Sequence, residues 1–181
     1  MRRFGAPWDR PLLLSTVALL AVILFAAIGG TSAALRADLR GIALAVALFA
    51  AGLAIGAWAL APREFEIGAG RLRILRNGWR PHVVPLADIR AVSPVESNAL
   101  RGSIRIFGTG GLFGYYGLFR SPSFGSYRLY ATRGTGLVLV RTERRLYVLT
   151  PEAPGDFAGA LLAAAPDARS ERPRPAAPPR R

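Results

Sequence analysis

LAIGAWALAPREFEIGAGRLRILR, residues Leu53–Arg76, contains the change of pattern on which the fold turns. Through Ala61 it holds small and aliphatic residues with one Trp and no charge. From Arg63 onward, Phe65 and Ile67 alternate with Glu64 and Glu66, and Leu72 and Ile74 alternate with Arg71 and Arg73. The first part suits hydrocarbon; the second has the period of two that marks half-buried strands. Gly68-Ala69-Gly70 reads as the turn between those strands, and Asn77-Gly78 as the positive-φ pair of a type I′ hairpin. A membrane segment is therefore expected to give way to a β domain at Pro62.

Working upstream, Gly41–Pro62 carries no charge and Ile42–Leu60 is its apolar core. Pro11–Leu35 is likewise free of charge, with Leu12–Ile28 nearly all apolar. A bilayer core of roughly 30 Å needs about 20 helical residues, which both runs supply. The remainder of the chain is too small to wrap two such helices on all sides. The expectation is a two-helix transmembrane hairpin over 1–62, with helices at about 12–30 and 41–61. Arg2, Arg3 and Arg10 precede the hairpin, and Arg63, Arg71, Arg73 and Arg76 follow it. The connecting loop has Arg36 and Arg40 offset by Asp38. The positive-inside rule then puts both termini in the cytoplasm, with Trp8 and Trp58 at the inner interface. Gly52 and Gly56 form a GxxxG spacing that admits close helix approach, within the hairpin or in a dimer. Arg2 and Arg3, the apolar run and Gly30-Thr31-Ser32-Ala33-Ala34 also fit a cleavable signal peptide. Either reading leaves the C-terminal domain on the cytoplasmic side.

Working downstream, further strands are expected at Trp79–Val84, Ile89–Val95, Ile104–Phe107, Tyr127–Ala131, Leu137–Arg141 and Leu146–Leu149. This meander of short strands points to a sandwich or small barrel. Thr150 can cap a closing helix, Pro151 or Pro154 fits its first turn, and Asp156 favours its N-terminus. Phe157, Ala160, Leu161 and Ala164 then share a face that would plug a barrel end. Residues 166–181, rich in Pro and Arg without a large apolar residue, are expected to be disordered.

The stretch Ile104-Arg-Ile-Phe-Gly-Thr-Gly-Gly-Leu-Phe-Gly-Tyr-Tyr-Gly117 stands out, as do Tyr130-Ala131-Thr132-Arg133, Tyr147-Val148-Leu149-Thr150-Pro151 and the helix with Phe157. Together they resemble the bacterial pleckstrin-homology (PH-like) domains, whose members often follow transmembrane helices. The resemblance covers 63–165. It implies an all-β barrel of about seven strands capped by one C-terminal helix; the apolar runs and arginine placement add the expectation of a multi-pass protein of the bacterial inner (plasma) membrane. The resemblance implies no catalytic activity. The inositide binding of eukaryotic PH domains is not carried over, because a fold does not transmit a site.

The formal charge is +13, and every basic residue is arginine. Without Lys there is no Walker A, Schiff-base or kinase-type lysine. Without Cys there is no thiolate site, and His82, the single histidine, cannot pair with another at a metal. It lies between Pro81 and Pro85, which suits an edge strand. Glu64 and Glu66 are expected to solvate an edge rather than to form an acid/base pair. No enzyme, cofactor, nucleic acid or small-molecule substrate is expected. The glycine stretch admits three readings. Gly108 to Gly117 could form a bulged strand pair. Gly110, Gly111, Leu112, Phe113, Tyr115 and Tyr116, with Phe119, could form a loop that meets the bilayer interface or a partner. The loop amides could form an anion nest served by Arg105, Arg120 or Arg128. The functional expectation is a cytoplasmic PH-like domain on a membrane anchor, serving as a protein-binding or scaffold module or self-associating. The alternative is a reader of anionic lipid headgroups through the arginines and the glycine–aromatic loop.

Overall fold

The chain, seen in a computed structural model that describes residues 1–36 and 40–170, opens on a strand that no alternation announces. Strand β1, Arg2–Gly5, pairs antiparallel with β2, Pro62–Gly68. Between them lie two helices, α1 (Arg10–Arg36) and α2 (Arg40–Leu60). The rest of the first sheet is β3 (Arg71–Arg76) and β4 (His82–Pro85), in the order β1-β2-β3-β4. A second sheet takes β5 (Ile89–Val95), β6 (Ile104–Gly110), β7 (Tyr115–Ser121), β8 (Gly125–Ala131), β9 (Leu137–Thr142) and β10 (Leu146–Leu149). After α3 (Pro154–Ala164) a short β11 (Arg169–Ser170) joins it, giving the order β11-β5-β9-β10-β8-β7-β6. The described residues thus form sheets of four and seven strands instead of about seven strands in all. Nor is the path a plain meander, since β10 lies parallel to β8 and between β8 and β9.

The alternation in β2 and β3 does what its period dictates. Phe65, Ile67, Leu72 and Ile74 are buried in the main core. Along β9 and β10 the pattern is lost because both faces of the sheet are covered. Val138, Val140, Tyr147 and Leu149 enter the main core, while Leu137, Leu139, Leu146 and Val148 enter a second core on the opposite face. Helix α3 closes the main core. Pro154 occupies its first turn, and Phe157 meets Phe4 and Phe65 edge-on at 5.2 and 5.9 Å. Its cap is Ala153 and not Thr150, which is engaged elsewhere, and Ala165 is buried where Ala164 was expected.

Other sequence expectations need correction. The type I′ turn is Ala69-Gly70, with φ of 48° and 70°. Asn77-Gly78 instead seals the end of α2: the Asn77 amide donates to the Ala61 carbonyl, the Gly78 amide to Ala59, and the Asn77 side chain to Trp58. The strand expected from Trp79 begins only at His82. Glu66 is not an edge carboxylate. It is 1 % exposed and lies opposite Arg3 on one side and Arg73 on the other, at 3.5 and 3.0 Å. The anchor does not stop contributing at the domain boundary, since Ala6 and Ala61 belong to the main core and Leu12 is fully buried. The tail begins later than residue 166, because β11 lies against β5 and Asp167 pairs with Arg90. Asp38 of the connecting loop and residues 171–181 of the tail lie outside the described residues.

Among the described residues one helix, Gly41–Leu60, is long and apolar enough to cross a membrane, and none of it is buried. Among the described residues the apolar run of α1 covers Arg10–Phe25, short of a span, so a second membrane-crossing helix is not shown. A β-carbon at Gly52 or Gly56 would touch nothing within 4 Å, so the GxxxG spacing does not carry the packing of α1 on α2.

Candidate functional site

The helices are fastened to the β domain at both junctions. At the start of α1, Asp9 caps the helix by accepting from the Leu12 amide at 2.9 Å, and its other oxygen accepts from the Gly134 amide at 2.9 Å. One turn on, the Thr16 hydroxyl donates to the Gly111 carbonyl at 3.2 Å and accepts from the Phe113 amide at 3.1 Å; Ser15 also reaches Gly111. The Gly111–Gly114 turn is thereby bound to α1, with Phe113 at φ 58° and its ring 6.2 Å from that of Trp8. At the end of α2, the Tyr116 hydroxyl donates to the Ala57 carbonyl. Burial pushes the Tyr116 phenol up to about 12, against the opposing charge of Arg76.

Between the last turn of α2 and strands β6 to β8 opens a cleft of about 590 Å³. Ala57 and Leu60 form one wall, Phe107 and Tyr116 the other, and Arg76, Arg105 and Arg128 supply the charge. Arg76 lies over the Tyr130 ring at 5.5 Å and donates to its hydroxyl at 3.2 Å, while its Nε is buried without a partner. Phe107, Leu118 and Arg128 continue into a second cleft of about 530 Å³ that adds Arg144 and Arg145. Behind Tyr130 sits His82, stacked on that ring at 5.6 Å and 3.2 Å from the Tyr147 hydroxyl. Burial, and then the charges of Arg128, Arg76 and Arg145, lower the imidazole to about 4. It is neutral at pH 7.

The geometry divides the residues singled out from sequence. Arg105, Arg128 and Tyr116 line the first cleft. Gly111 and Phe113 are bonded to α1 instead, and Leu112 and Tyr115 are half-buried beside them. Gly110 is exposed and pairs with Tyr115 across the hairpin; Phe119 is buried in the second core. Arg120 is exposed and lines neither cleft. Gly108 and Gly117 face each other beyond a bulge between Arg105 and Phe107. A β-carbon on either would come within 2.1 Å of opposing backbone. The apolar residues that do project are Ile104, Ile106 and Phe107, the last 77 % exposed. The sequence does not assign Arg76, Tyr130, Arg144 or Arg145 to a site, because sheet order is what brings Arg76 and Tyr130 to Arg128 and sets the Arg144-Arg145 pair beside it. Among the described residues no cluster of three or more metal-ligating side chains occurs.

A family model described as the bacterial PH domain matches residues 63–165, more than half of the chain. The chain belongs to the bacterial PH domain family. No curated protein and no solved structure matches it. PH domains are generally non-catalytic binding modules. In this bacterial PH domain the Tyr-Ala-Thr and Thr-Pro elements serve as a joint. Thr132 and Thr150 are fully buried; the Thr132 amide donates to the Thr150 hydroxyl at 2.9 Å, and the Thr132 hydroxyl donates to the Pro7 carbonyl at 2.8 Å. Arg133 reaches the carbonyls of Pro151 and Glu152. The PH domain thus takes hold of the segment between β1 and α1.

Proposed function

We propose that this protein is a multi-pass inner-membrane protein whose two helices cross the bilayer and hold a non-catalytic, cytoplasmic PH domain against the membrane surface as a binding module. One observation carries the reading: β1 pairs with β2 across the two helices. Paired strands lie on the same side of a bilayer, so the chain between them crosses an even number of times. Helix α2 presents Ile42, Leu48, Phe49 and Ile55 to its surroundings, which suits lipid and not water. If α2 crosses, α1 is the segment that crosses back. Its 27 residues, about 40 Å long, exceed what a span requires. The surplus matches the first two turns, where Leu12 and Thr16 dock on the PH domain. The arginines beyond α2 put that side in the cytoplasm. Cleavage after the first helix would remove β1, so the reading takes the N-terminus as retained.

Alkaline extraction of membranes tests the integral character: the protein is expected to stay with the pellet, and release into the wash overturns the reading. Reporters fused to each terminus test the topology. Both are expected to report the cytoplasm, and activity of either in the periplasm overturns the arrangement.

A further inference from the structure

The two neighbouring clefts, which share Phe107, Leu118 and Arg128 in their lining, gather five arginines, Arg76, Arg105, Arg128, Arg144 and Arg145, and no carboxylate lines either one. Among the described residues, none of the five forms an ion pair. Arg76 in particular keeps a buried Nε without a partner. Guanidinium groups in this state fit an anion with several acceptor oxygens, and phosphate matches their forked donors. The walls are not those of a soluble-anion site. Ala57 and Leu60 come from the last turn of α2, and the exposed Ile106 and Phe107 stand at the rim. Cations and apolar side chains thus meet where α2 leaves hydrocarbon.

We propose that this cleft binds the phosphodiester headgroup of an anionic phospholipid from the leaflet facing the PH domain. Arg76, Arg105 and Arg128 hold the phosphate, Arg144 and Arg145 extend the positive field, and acyl chains lie along Ala57, Leu60 and Phe107. The inference rests on the membrane placement proposed above. The site differs from the glycine turn, whose backbone groups are engaged with α1. A built-in reporter sits behind the cleft. His82 is the sole histidine, and the charges of Arg128, Arg76 and Arg145 help hold its imidazole low. A bound anion offsets those charges and moves the imidazole upward, while the larger effect of burial stays.

The full-length protein, in nanodiscs of phosphatidylcholine with or without phosphatidylglycerol, supplies the test. Retained lipid is read after detergent re-extraction, and the His82 imidazole titration by NMR. Preferential retention of phosphatidylglycerol and an upward His82 titration in its presence are expected. Arg105→Gln and Arg128→Gln should each lower retention about fivefold, and Arg120→Gln should leave it unchanged. Should Arg128→Gln fail to fold, the Arg144→Gln/Arg145→Gln pair, on an exposed turn, carries the same comparison. Equal retention of both lipids, or unchanged retention in the arginine variants, overturns the proposal. So does an equal His82 response to inorganic phosphate in phosphatidylcholine discs, which would assign the cleft to a soluble anion. Alkaline extraction reports separately on the membrane reading, so a chain that stays in the pellet but ignores phosphatidylglycerol defeats this inference alone.

Discussion

Glu66 is a buried acidic side chain on the face of β2 opposite Phe65 and Ile67, and it persists there because two strands each bring it an arginine. β1 supplies Arg3 and β3 supplies Arg73, at directly opposed positions. Glu66→Ala removes the buried partner of two arginines that are themselves partly exposed and should cost about 2 kcal/mol, the scale of a charge-assisted hydrogen bond, read as a lower denaturation midpoint of the detergent-solubilised chain. An unchanged midpoint would mean the triad is dispensable. His82 makes the opposite choice and stays neutral. Its folded value of about 4 lies below the usual 6.5, so above pH 6.5 the stability it contributes is fully present. As pH falls from 6.5 toward 4 the unfolded chain takes up a proton that the folded chain refuses, and stability declines. For a half-exposed ring the loss is on the order of 1–2 kcal/mol once screening is allowed for. His82→Gln should flatten the melting temperature across that window; an unaltered slope would assign the acid sensitivity to other groups.

At the scale of elements, what the sequence made legible was periodicity, and what it hid was partnership. β2, β3 and the closing helix could be read because their alternation or face follows directly from burial on one side. β1 could not: Arg2–Gly5 has no apolar alternation, and its partner lies beyond two helices. β7 was missed because glycines interrupt it where Gly117 opposes Gly108. That contact gives the next prediction. Gly117→Ala places a β-carbon against the Phe107 carbonyl at φ 132°, a strain on the order of 3 kcal/mol. Hydrogen exchange should show lost protection along β6 and β7 first; retained protection would mean the strands part without cost. Likewise, a fragment spanning 63–170 should fold as a β-rich unit, yet lacks β1 and the Phe4 ring that meets Phe157. A peptide of residues 2–9 added to it should raise its melting temperature. No change on addition would make β1 an ornament of the sheet. The candidate site was legible only in its types: Arg105 and Arg128 were named, whereas Arg76 and Tyr130 needed the strand order to reach them.

For the whole molecule, the two N-terminal helices and the PH domain are one fastened object and not a head on a flexible tether. Asp9 and Thr16 fix one helix, Asn77, Gly78 and Tyr116 the other. Deleting 17–36 should therefore do more than shorten the anchor. On the proposed two-crossing arrangement a single crossing is then left, and Arg2–Gly5 and Pro62–Gly68 can no longer meet on one face. The PH domain of that variant should become sensitive to protease in cytoplasm-exposed vesicles, or lose its orientation altogether. Full resistance and native orientation would show that the crossings and the sheet are independent.

The strand pairing across the helices also sets a timetable for biosynthesis. β1 leaves the ribosome ahead of its partner β2, which at about 5–20 residues per second follows several seconds later. On the proposed membrane arrangement, a lone strand with open amides and carbonyls would wait in the cytoplasm during that interval while the helices enter the lipid. Its short length and its two arginines suit that wait, since both discourage pairing with a stranger. When β2 arrives on the correct side, Arg3 meets Glu66 and the sheet closes. On the proposed arrangement that meeting requires both helices to have crossed, so closure of the sheet would depend on correct insertion.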